Sequence, residues 1–380
     1  MESILIKRVT LYDPDPRGVC DLFLCGGTVA AVGRELAPNL PGVRVVDGSG
    51  LTAFPGLVDQ HVHFTGGGGE GGFRSRVPEL KLTDFTMAGV TTAVGLLGTD
   101  SATRSVKNLL AKTKALNEEG ITAYCLTGAY DVPSPTLTGS LKDDVAFLSE
   151  CLGVKVALSD HRGGQPTVED LIHMAAQVRL GALTAGKPGV VHIHLGVGKR
   201  GLGLVYDALE QSDLPIFHFR PTHLDHAPEL AVEFGRRGGM VDFTAGETPE
   251  RMERCVNALL RTMEEVPLEQ ITLSSDAGGS IPKWSEDRRT MIGMSVGKMD
   301  ALLPTVRALV RDHGVAPERA ITILTRNVAD GLFLPRKGRL TEGADADVLL
   351  VDPDYQVHTV IARGQVMVSE GRAEVLPTLS

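Results

Sequence analysis

The sequence predicts an α/β protein whose main part is a (β/α)8 TIM barrel, joined to a small β-sandwich domain formed from both chain ends. Three observations lead to this prediction. Short β-type runs alternate with amphipathic runs through the middle of the chain. Eight of these runs are strand candidates, the number that closes such a barrel. At both ends, β-type runs follow one another without helices. We therefore assign residues 1–54 and 337–380 to the small β-domain and residues 55–336 to the barrel.

The small β-domain is predicted from β-type runs separated by turn residues. Before residue 55 the runs are ILIKRVTLYD, DLFLCG, TVAAVG and VRVVD, and after Lys337 they are ADVLLVD, HTVIARG and QVMVSEG. Glycine and aspartate between such runs are typical of short strands joined by turns. We expect the two ends to build one domain together.

The barrel is predicted from strand candidates separated by helix-like stretches such as SVKNLLAKTKALNEEG and TVEDLIHMAAQVRLGALTAG. In the second stretch Thr167 precedes Asp170 by three residues, which is close to a capping signature. An open doubly wound sheet is the alternative, but no GxGxxG follows a strand early in the chain. The strand candidates are Leu57 to His63, Val90 to Leu97, Ile121 to Ala129, Gly153 to Ser159, Val190 to Leu195, Pro215 to His223, Met240 to Thr244 and Gln270 to Ser275.

Composition narrows the class of protein. The 380 residues, 42% of them hydrophobic, can bury a barrel-sized core with a smaller unit beside it. A net charge of −9 argues against a nucleic-acid partner. The five cysteines are odd in number and without CxxC spacing, which argues against a disulfide framework. Without an apolar signal region or a run of about 20 apolar residues, we expect a cytoplasmic protein with no membrane partner.

Residue types that commonly bind metal ions occur where the predicted strands end. Active sites of such barrels lie at the C-terminal ends of the strands. His61 and His63 end the first strand, and residues two apart on a strand point to the same face. His192 and His194 both face one way on the fifth strand, and His194 is nearer its C-terminal end. The other candidates are Lys155 within the fourth strand, His223 at the end of the sixth and Asp276 closing the eighth.

Imidazole and carboxylate ligands suit zinc and similar cations, and the absence of a cysteine pair indicates a catalytic rather than a closed structural site. Water can then occupy an open position on the metal. A cation lowers the pKa of that water from 15.7 towards about 7, so hydroxide is available at neutral pH. The pattern predicts metal-dependent hydrolysis.

The motifs resemble a known family. FPGLVDQHVH with the distant Lys155, His194, His223 and Asp276, and the C-terminal GRLTEGADADVLLVD followed by VIARGQVMV, are similar to the amidohydrolase superfamily. Within it, QHVHFTGGGGEGG, VGLLGTDS, LLAKTKALNEEGI, LTGAY, SDHR, PTH and TLSSDAGGS resemble the isoaspartyl dipeptidases. The resemblance runs nearly end to end. It implies zinc-dependent cleavage of β-aspartyl dipeptides by a metallo-dipeptidase that forms homo-oligomers.

The resemblance also implies a ligand set for two zinc ions. His61, His63 and Asp276 would hold one ion, His194 and His223 the other, and a carboxylated Lys155 would bridge them. A lysine ammonium repels cations, whereas its CO2 adduct is an anionic ligand, and the apolar flanking residues favour the reactive neutral amine. The alternative is a lysine paired to a carboxylate inside the barrel.

Two residues would carry the chemistry on this resemblance. Asp276 would act as general base and then acid, taking a proton from a hydroxide-forming water between the metals and delivering it to the leaving amine. This double role predicts a raised effective pKa for Asp276 and an acidic limb in the pH profile. Tyr130 would donate its phenol to the developing oxyanion. An aromatic residue that only caps the barrel mouth is the alternative for Tyr130.

The implied substrate contacts begin with Glu70, which would receive the α-amino group because a buried ammonium needs an anionic partner. Its GGGGEGG surroundings permit positive φ angles, and a flexible linker is the alternative reading of that run. The planar fork of Arg162 would bind a substrate carboxylate. Further contacts would come from Gly68, Thr99 and Ser280.

One position departs from the family pattern. Three residues after His223 the family has an arginine that binds substrate carboxylate, and this chain has His226. A neutral imidazole cannot replace a guanidinium, and a protonated one does so only below a pKa near 6.5. Either another cation such as Arg220 replaces it, or the substrate preference differs.

Two other functions stay open. The same metal site could hydrolyse a cyclic amide, as in dihydroorotases and hydantoinases, or another N-acyl amino acid. Some proteins of this fold have lost their metals and act as scaffolds, but here all six ligand positions hold competent residue types.

Overall fold

A computed structural model describes residues 2–287 and 289–379 of the chain. Its strands, numbered in chain order, are β1 (Ile4–Tyr12), β2 (Pro16–Cys25), β3 (Thr28–Gly33), β4 (Arg44–Asp47), β5 (Thr52–Pro55), β6 (Leu57–Val62), β7 (Val90–Gly95), β8 (Thr122–Gly128), β9 (Cys151–Leu158), β10 (Val190–Leu195), β11 (Phe219–Thr222), β12 (Val241–Thr244), β13 (Ile271–Ser274), β14 (Ser280–Trp284), β15 (Met291–Val296), β16 (Val348–Val351), β17 (Val357–Ala362), β18 (Gln365–Ser369) and β19 (Arg372–Ala373).

The helices lie between the middle strands and after them. They are α1 (Leu82–Thr86), α2 (Val106–Glu119), α3 (Leu141–Phe147), α4 (Val168–Ala185), α5 (Gly203–Glu210), α6 (Pro228–Arg236), α7 (Pro249–Glu265), α8 (Leu302–Arg311), α9 (Pro317–Thr322) and α10 (Arg326–Gly331). None of these helices is both long and apolar enough to span a bilayer.

Strands from both chain ends form one nine-stranded sheet. Its order is β19-β18-β17-β16-β5-β1-β2-β3, and β4 pairs with β1. The two ends meet where β5 pairs antiparallel with β16, with Val348 opposite Pro55. The predicted joining of the two ends is therefore present in the strand pairing. Their separation as a β-sandwich domain with the stated boundaries stays a prediction.

The middle of the chain forms a TIM-barrel-like domain. Strands β6 to β11 make a six-stranded parallel sheet, and β12 and β13 make a parallel pair. All eight predicted strands are present, although β11 begins only at Phe219 because a 3-10 turn occupies Ile216–His218. A parallel bridge between Val62 and Ala277 joins the first strand to the segment after the last. A single closed eight-stranded sheet stays a prediction.

Strand alternation separates the apolar core from the site. On β9 and β10, side chains such as Val156 and Ile193 are buried in the same apolar cluster as Leu171 and Met174 of α4. The intervening Lys155 and the histidines of β10 point to the opposite face, because successive strand side chains alternate. The same pattern that builds the core thus directs polar groups to the face of the sheet opposite the apolar cluster.

Helix α4 begins at the predicted capping signature. The Thr167 hydroxyl accepts a hydrogen bond from the Asp170 backbone N–H, and the Asp170 carboxylate accepts one from the Thr167 backbone N–H, at 3.2 and 2.9 Å. The helix ends at Gly186, whose φ of 66° favours glycine. The reciprocal bonds between Thr167 and Asp170 satisfy two N–H groups at the start of the helix.

Candidate active site

Five barrel strands bring all six predicted metal ligands together. The Lys155 Nζ atom lies 3.2 Å from His61 Nε2. Asp276 Oδ1 lies 3.3 Å from the same nitrogen of His61 and 3.2 Å from Nε2 of His63. The ring centre of His223 lies 5.0 Å from that of His61 and 4.5 Å from that of His194. The predicted ligands thus form one compact cluster at the C-terminal ends of the strands.

Two of these ligands adopt an unusual backbone conformation. His223 follows β11 with a φ of 66°, and Asp276 follows β13 with a φ of 54°. A non-glycine residue in the left-handed region costs on the order of 1–3 kcal/mol and persists where the surrounding structure fixes it, often at active sites. The strained turns end each strand just where its side chain joins the cluster.

Hydrogen bonds determine which ring nitrogens of His194 and His223 remain for a metal. His194 Nε2 lies 2.8 Å from Asp160 Oδ2, so its proton is held by that carboxylate. His223 Nδ1 lies 2.7 Å from the Thr244 hydroxyl. The nitrogens not used in these bonds are Nδ1 of His194 and Nε2 of His223. Metal-binding histidines commonly use one nitrogen in this way to orient the other.

The first-strand histidines are arranged similarly. His61 Nε2 faces Lys155 and Asp276, while its Nδ1 lies 2.9 Å from Nε2 of His192. His192 is therefore placed behind His61 rather than in the ligand cluster, and His194 is the histidine of β10 that enters it. His63 directs Nε2 to Asp276, and its buried Nδ1 has no hydrogen-bond partner in the described part of the chain.

The protonation states of the cluster residues are compatible with binding of a cation. Burial lowers the pKa of His61 to about 3 and that of His194 to about 4, so both rings are neutral. Burial also lowers the pKa of Lys155 to about 7, against the opposing charges of Asp276 and Asp242. Neutral imidazoles, one carboxylate and a reactive amine form a donor set suited to zinc or a similar ion.

Asp276 differs from the prediction of a raised pKa. Burial alone would raise it, but hydrogen bonds from His61 and His63 and the field of the histidines hold its pKa well below the usual aspartate value. The prediction was wrong because it considered the role of the carboxylate and not its partners. Asp276 is ionised over the whole neutral range.

A small cavity beside the cluster contains the predicted substrate residues. It is lined by Gly68, Glu70, Thr99, Tyr130, Arg162 and Ser280 together with His63, His194 and Asp276. Residues distant in sequence therefore meet at one place, although each was predicted separately. The backbone at Gly68 has a φ of 91°, and a Cβ there would lie 2.4 Å from the Ser75 carbonyl oxygen, so only glycine fits.

Glu70 is held by three side chains through one oxygen. Its Oε1 accepts hydrogen bonds from Ser280 Oγ at 2.7 Å, Thr99 Oγ1 at 2.9 Å and Arg162 Nη1 at 3.3 Å. Its Oε2 is buried and has no partner within the described residues. Glu70 lines the cavity, and a carboxylate with one unsatisfied oxygen there is suited to a ligand that donates hydrogen bonds.

Tyr130 lies between His194 and Arg162 at the wall of this cavity. Its ring centre is 4.8 Å from that of His194, and the Arg162 guanidinium carbon is 5.7 Å from it. Burial raises the pKa of Tyr130 well above its usual value. The phenol therefore keeps its proton at neutral pH and can act as a hydrogen-bond donor.

Asp160 belongs to the site and was not predicted. It forms a bidentate ion pair with Arg162 at 3.0 and 2.7 Å while also accepting from His194. These bonds outweigh burial and hold the pKa of Asp160 well below its usual value. The SDHR motif contained both Asp160 and Arg162, but only the pairing with a distant histidine reveals the role of the aspartate.

An outer cavity of about 220 Å3 continues from the metal-ligand cluster towards the surface. His226 lines it, and so do Arg251 and Arg254, which lie on the first turns of α7. The predicted substitute cation Arg220 does not. It is buried beneath the cluster, where it donates to Gln60 Oε1 at 2.9 Å and to the Gly331 carbonyl at 3.0 Å. The arginines near His226 therefore come from helix α7, which no motif of the sequence marks as part of the site.

The wall of the outer cavity includes a hairpin that the sequence analysis missed. Strands β14 and β15 pair antiparallel directly after Asp276, and Ser280 is the first residue of β14. Trp284, the one tryptophan of the sequence, ends β14 and packs edge-on against His161 with ring centres 5.2 Å apart. The segment SIPKW is too short for its alternation of apolar and polar residues to predict a strand.

Comparison with known proteins agrees with this geometry. Residues 52–367 match the amidohydrolase family model. A β-aspartyl dipeptidase from Fervidobacterium islandicum AW-1, solved in complex with β-Asp-Leu, is 38% identical, with a TM-score of 0.92 over 100% of this chain and 99% of that one. Curated relatives include the dihydroorotase of Elusimicrobium minutum, 23% identical over 93% of this chain and 88% of that protein.

A further relative is the allantoinase of Deinococcus radiodurans, 27% identical over 92% of this chain and 86% of that protein. Relatives named dihydroorotase, allantoinase and β-aspartyl dipeptidase thus each cover nearly the whole chain. The family match spans most of the sequence, and the 38% identity extends along its full length. The chain belongs to the amidohydrolase family, resembles β-aspartyl dipeptidases from end to end, and is a hydrolase.

Proposed function

We propose that the protein hydrolyses β-aspartyl dipeptides at a binuclear metal centre. The observation that carries the proposal is Glu70, which lines the cavity that also contains ligand-cluster residues and whose buried Oε2 has no partner among the described residues. A β-aspartyl dipeptide carries a free α-ammonium and α-carboxylate next to the bond to be cut. A cyclic amide lacks that ammonium. Similarity to a dipeptidase solved with β-Asp-Leu supports the same substrate class.

The metal would be held by residues of the cluster. His61, His63 and Asp276 would bind one zinc ion, His194 and His223 the other, and a carboxylated Lys155 would bridge them. When bound, the ions would activate a water nucleophile at neutral pH and polarise the scissile carbonyl. Asp160 binds Nε2 of His194 and Thr244 binds Nδ1 of His223. Nδ1 of His194 and Nε2 of His223 would therefore bind the metal.

Asp276 would move the proton during hydrolysis. Its carboxylate lies beside His61 and His63 in the cluster and would accept a proton from the attacking water. The same carboxylic acid would then protonate the nitrogen of the departing amine.

Tyr130 would stabilise the tetrahedral oxyanion. The phenol stays protonated because burial raises its pKa. One preorganised donor of this kind is worth about 2.7–4 kcal/mol in the transition state. Tyr130 also packs on His194, so the donor is fixed relative to the ligand cluster.

The aspartyl part of the substrate would occupy the inner cavity. Glu70 Oε2 would accept from its α-ammonium, and Arg162 would bind its α-carboxylate, with Thr99, Ser280 and Gly68 supplying further donors. Arg162 is already oriented by its bidentate pair with Asp160, so little side-chain entropy is lost on binding.

The released residue would occupy the outer cavity. Its carboxylate would meet Arg251, whose guanidinium is fixed by Glu247 at 2.8 Å. Arg254 is paired to the buried Asp225 at 2.7 Å. We propose Arg251 as the main cation there because its side chain is 21% exposed, against 46% for Arg254, and so lies deeper in the protein. His226 would line the same subsite without contributing a permanent charge.

A second candidate function is hydrolysis of a cyclic amide. It is favoured by the dihydroorotase and allantoinase relatives, which align with more than nine-tenths of the chain. Their identity of 23–27% is lower than the 38% to the dipeptidase. The metal-ligand cluster would serve both dipeptide and cyclic-amide hydrolysis. Glu70, the proposed partner of the substrate ammonium, is therefore the residue that distinguishes the two functions.

Turnover of a small substrate panel tests the proposal. Zinc-loaded protein would be assayed with β-Asp-Leu, α-Asp-Leu, dihydroorotate and allantoin, with Lys155→Ala as the inactive control. We expect cleavage of β-Asp-Leu only, lost in the Lys155→Ala variant. Preferential turnover of a cyclic amide would support the second function, and equal cleavage of α-Asp-Leu would contradict the proposed specificity.

A further inference from the structure

His192 makes an imidazole–imidazole hydrogen bond with a predicted metal ligand. Its Nε2 lies 2.9 Å from Nδ1 of His61, and both side chains are about 1% exposed. Nε2 of His61 faces the opposite way, towards Lys155 at 3.2 Å and Asp276 at 3.3 Å. The two nitrogens of the His61 ring thus have different environments, one inside the cluster and one behind it.

Only one tautomer of His61 is compatible with metal binding through Nε2. A neutral imidazole carries one proton, so a ring that ligates through Nε2 carries its proton on Nδ1. Nδ1–H then has to donate, and the atom in front of it is Nε2 of His192. His192 must offer a lone pair there and carry its own proton on Nδ1.

The neighbouring strand favours this state of His192. Arg220 is the Cα partner of His192 on β11 and is buried as well. A second proton on His192 would place two buried cations side by side. A neutral His192 avoids that repulsion, and of its two neutral tautomers only the one protonated on Nδ1 can accept from His61.

A second cation site behind His61 is the rival interpretation. Ligand atoms of His61, His192 and Asp242 lie within 4.8 Å of one another. However, both oxygens of Asp242 are already occupied. Oδ1 accepts from Gln60 Nε2 and Thr272 Oγ1, and Oδ2 accepts from Thr222 Oγ1 and Ser274 Oγ, at 2.6–2.7 Å. Four neutral donors leave this carboxylate no lone pair for a cation.

We propose that His192 is a positioning residue that accepts the Nδ1 hydrogen of His61 and so holds its Nε2 ready for the metal. The inference rests on the metal centre of the proposed function. It assigns a role to His192, the first histidine of VVHIHL, which the sequence offered only as a rival ligand. Metal-ligating histidines commonly donate their other N–H to a carboxylate, carbonyl or water, and here an imidazole takes that place.

Zinc affinity of two nearly isosteric variants tests the role. His192→Gln keeps a hydrogen-bond acceptor at the end of the side chain, and His192→Met keeps the size but replaces the acceptor with a weakly accepting thioether. The zinc dissociation constant would be measured by chelator competition at fixed pH. His218→Met is the matched control, because His218 is also a buried histidine but binds the Gly189 carbonyl away from the cluster.

We expect His192→Met to weaken zinc binding about 10-fold to 100-fold, the range found for such supporting partners. His192→Gln should recover most of that loss, and the control should bind zinc like the wild type. Unchanged affinity in folded His192→Met would overturn the role, as would an equal loss in both variants. Wild-type protein that binds no zinc would instead refute the proposed metal centre, and this inference with it.

A measurement on the wild type covers the case in which His192→Met does not fold. Side-chain 15N NMR distinguishes a histidine protonated on Nδ1 from one protonated on Nε2. Zinc-loaded protein should have His61 protonated on Nδ1, with that proton hydrogen-bonded to a second ring nitrogen. A His61 proton without an imidazole acceptor would overturn the proposal.

Discussion

The Lys155 Nζ atom lies 3.2 Å from Nε2 of His61, with no exposed surface on the lysine. A buried ammonium beside a metal ligand would be costly, and burial accordingly lowers the pKa of Lys155 to about 7. The neutral amine is the form that reacts with CO2. The position of Lys155 therefore favours the carboxylation that the proposed function requires.

The first prediction concerns the pH dependence of that reaction. Reactivation of metal-free protein by zinc at fixed dissolved CO2 should rise about tenfold from pH 6 to pH 8 and then level off, because a group with a lowered pKa loses its proton in that window. Recovery of β-Asp-Leu hydrolysis over time gives the rate. A lysine with its ordinary pKa would give a rise of about 100-fold without levelling off, and that result would contradict the prediction.

The second prediction concerns Glu70. Glu70→Gln should lower kcat/KM for β-Asp-Leu at least about 30-fold, because loss of one partner of a buried charge pair costs about 2–5 kcal/mol. The loss should be absent with N-acetyl-β-Asp-Leu, which carries no ammonium. Steady-state kinetics on both substrates measure the difference, and the exposed Glu264→Gln is the control. An equal loss on both substrates would mean that Glu70 has only a structural role.

The third prediction concerns Tyr130. Tyr130→Phe should lower kcat about 100-fold to 1000-fold, as expected for one lost oxyanion donor, and leave KM nearly unchanged. Tyr206→Phe is a matched control, since that ring packs on Phe234 outside the site. Steady-state kinetics separate the two constants. An effect confined to KM would indicate that the phenol binds substrate rather than the oxyanion.

The fourth prediction concerns the released residue. Arg251→Met should raise KM for β-Asp-Leu about tenfold or more, because a charge-assisted hydrogen bond contributes about 1.5–3 kcal/mol. β-Asp-leucinamide lacks the terminal carboxylate, so its KM should not change. Arg237→Met, on an exposed surface where Arg237 pairs with Glu233, is the control. If both substrates lose affinity equally, Arg251 does not bind the carboxylate.

The fifth prediction concerns stability where the nine-stranded sheet meets the barrel. Lys337 is buried and binds Asp347 and the Thr122 hydroxyl at 2.7 Å, and Asp345 at 2.9 Å. Lys337→Met would leave the buried Asp347 carboxylate without its cation and should lower the free energy of unfolding by about 3–5 kcal/mol in urea titrations. Arg336→Met removes an exposed partner of Asp345 and should cost less than about 1 kcal/mol. Similar losses in both variants would contradict this account.

Much of the site could be predicted from sequence because its signals are local. Two histidines two residues apart on a strand face the same side, and a polar residue after a β run lies at the barrel mouth in any parallel barrel. His61, His63, His194 and Asp276 were found by these rules and lie together. Lys155 was identified within a strand because a charged residue in an apolar run is conspicuous.

The remaining features depend on contacts between distant segments. Asp160 beside His194, Thr244 beside His223 and Arg220 beneath the cluster follow from neighbouring strands, which no local pattern specifies. The pKa of Asp276 was predicted in the wrong direction for the same reason, since its histidine partners lie more than 200 residues away in the chain.

The sequence by itself determined the positions of the eight strands, the candidate ligand residues and the departure at His226, because these depend on local pattern, spacing along the chain and motif resemblance. Tertiary structure decided which nitrogen of each histidine is free, that His192 lies behind His61, and that Arg251 rather than Arg220 reaches the outer cavity. Spacing fixes the face on which a side chain lies. Its hydrogen-bond partner and charge state are set only when folding brings another segment within about 3 Å.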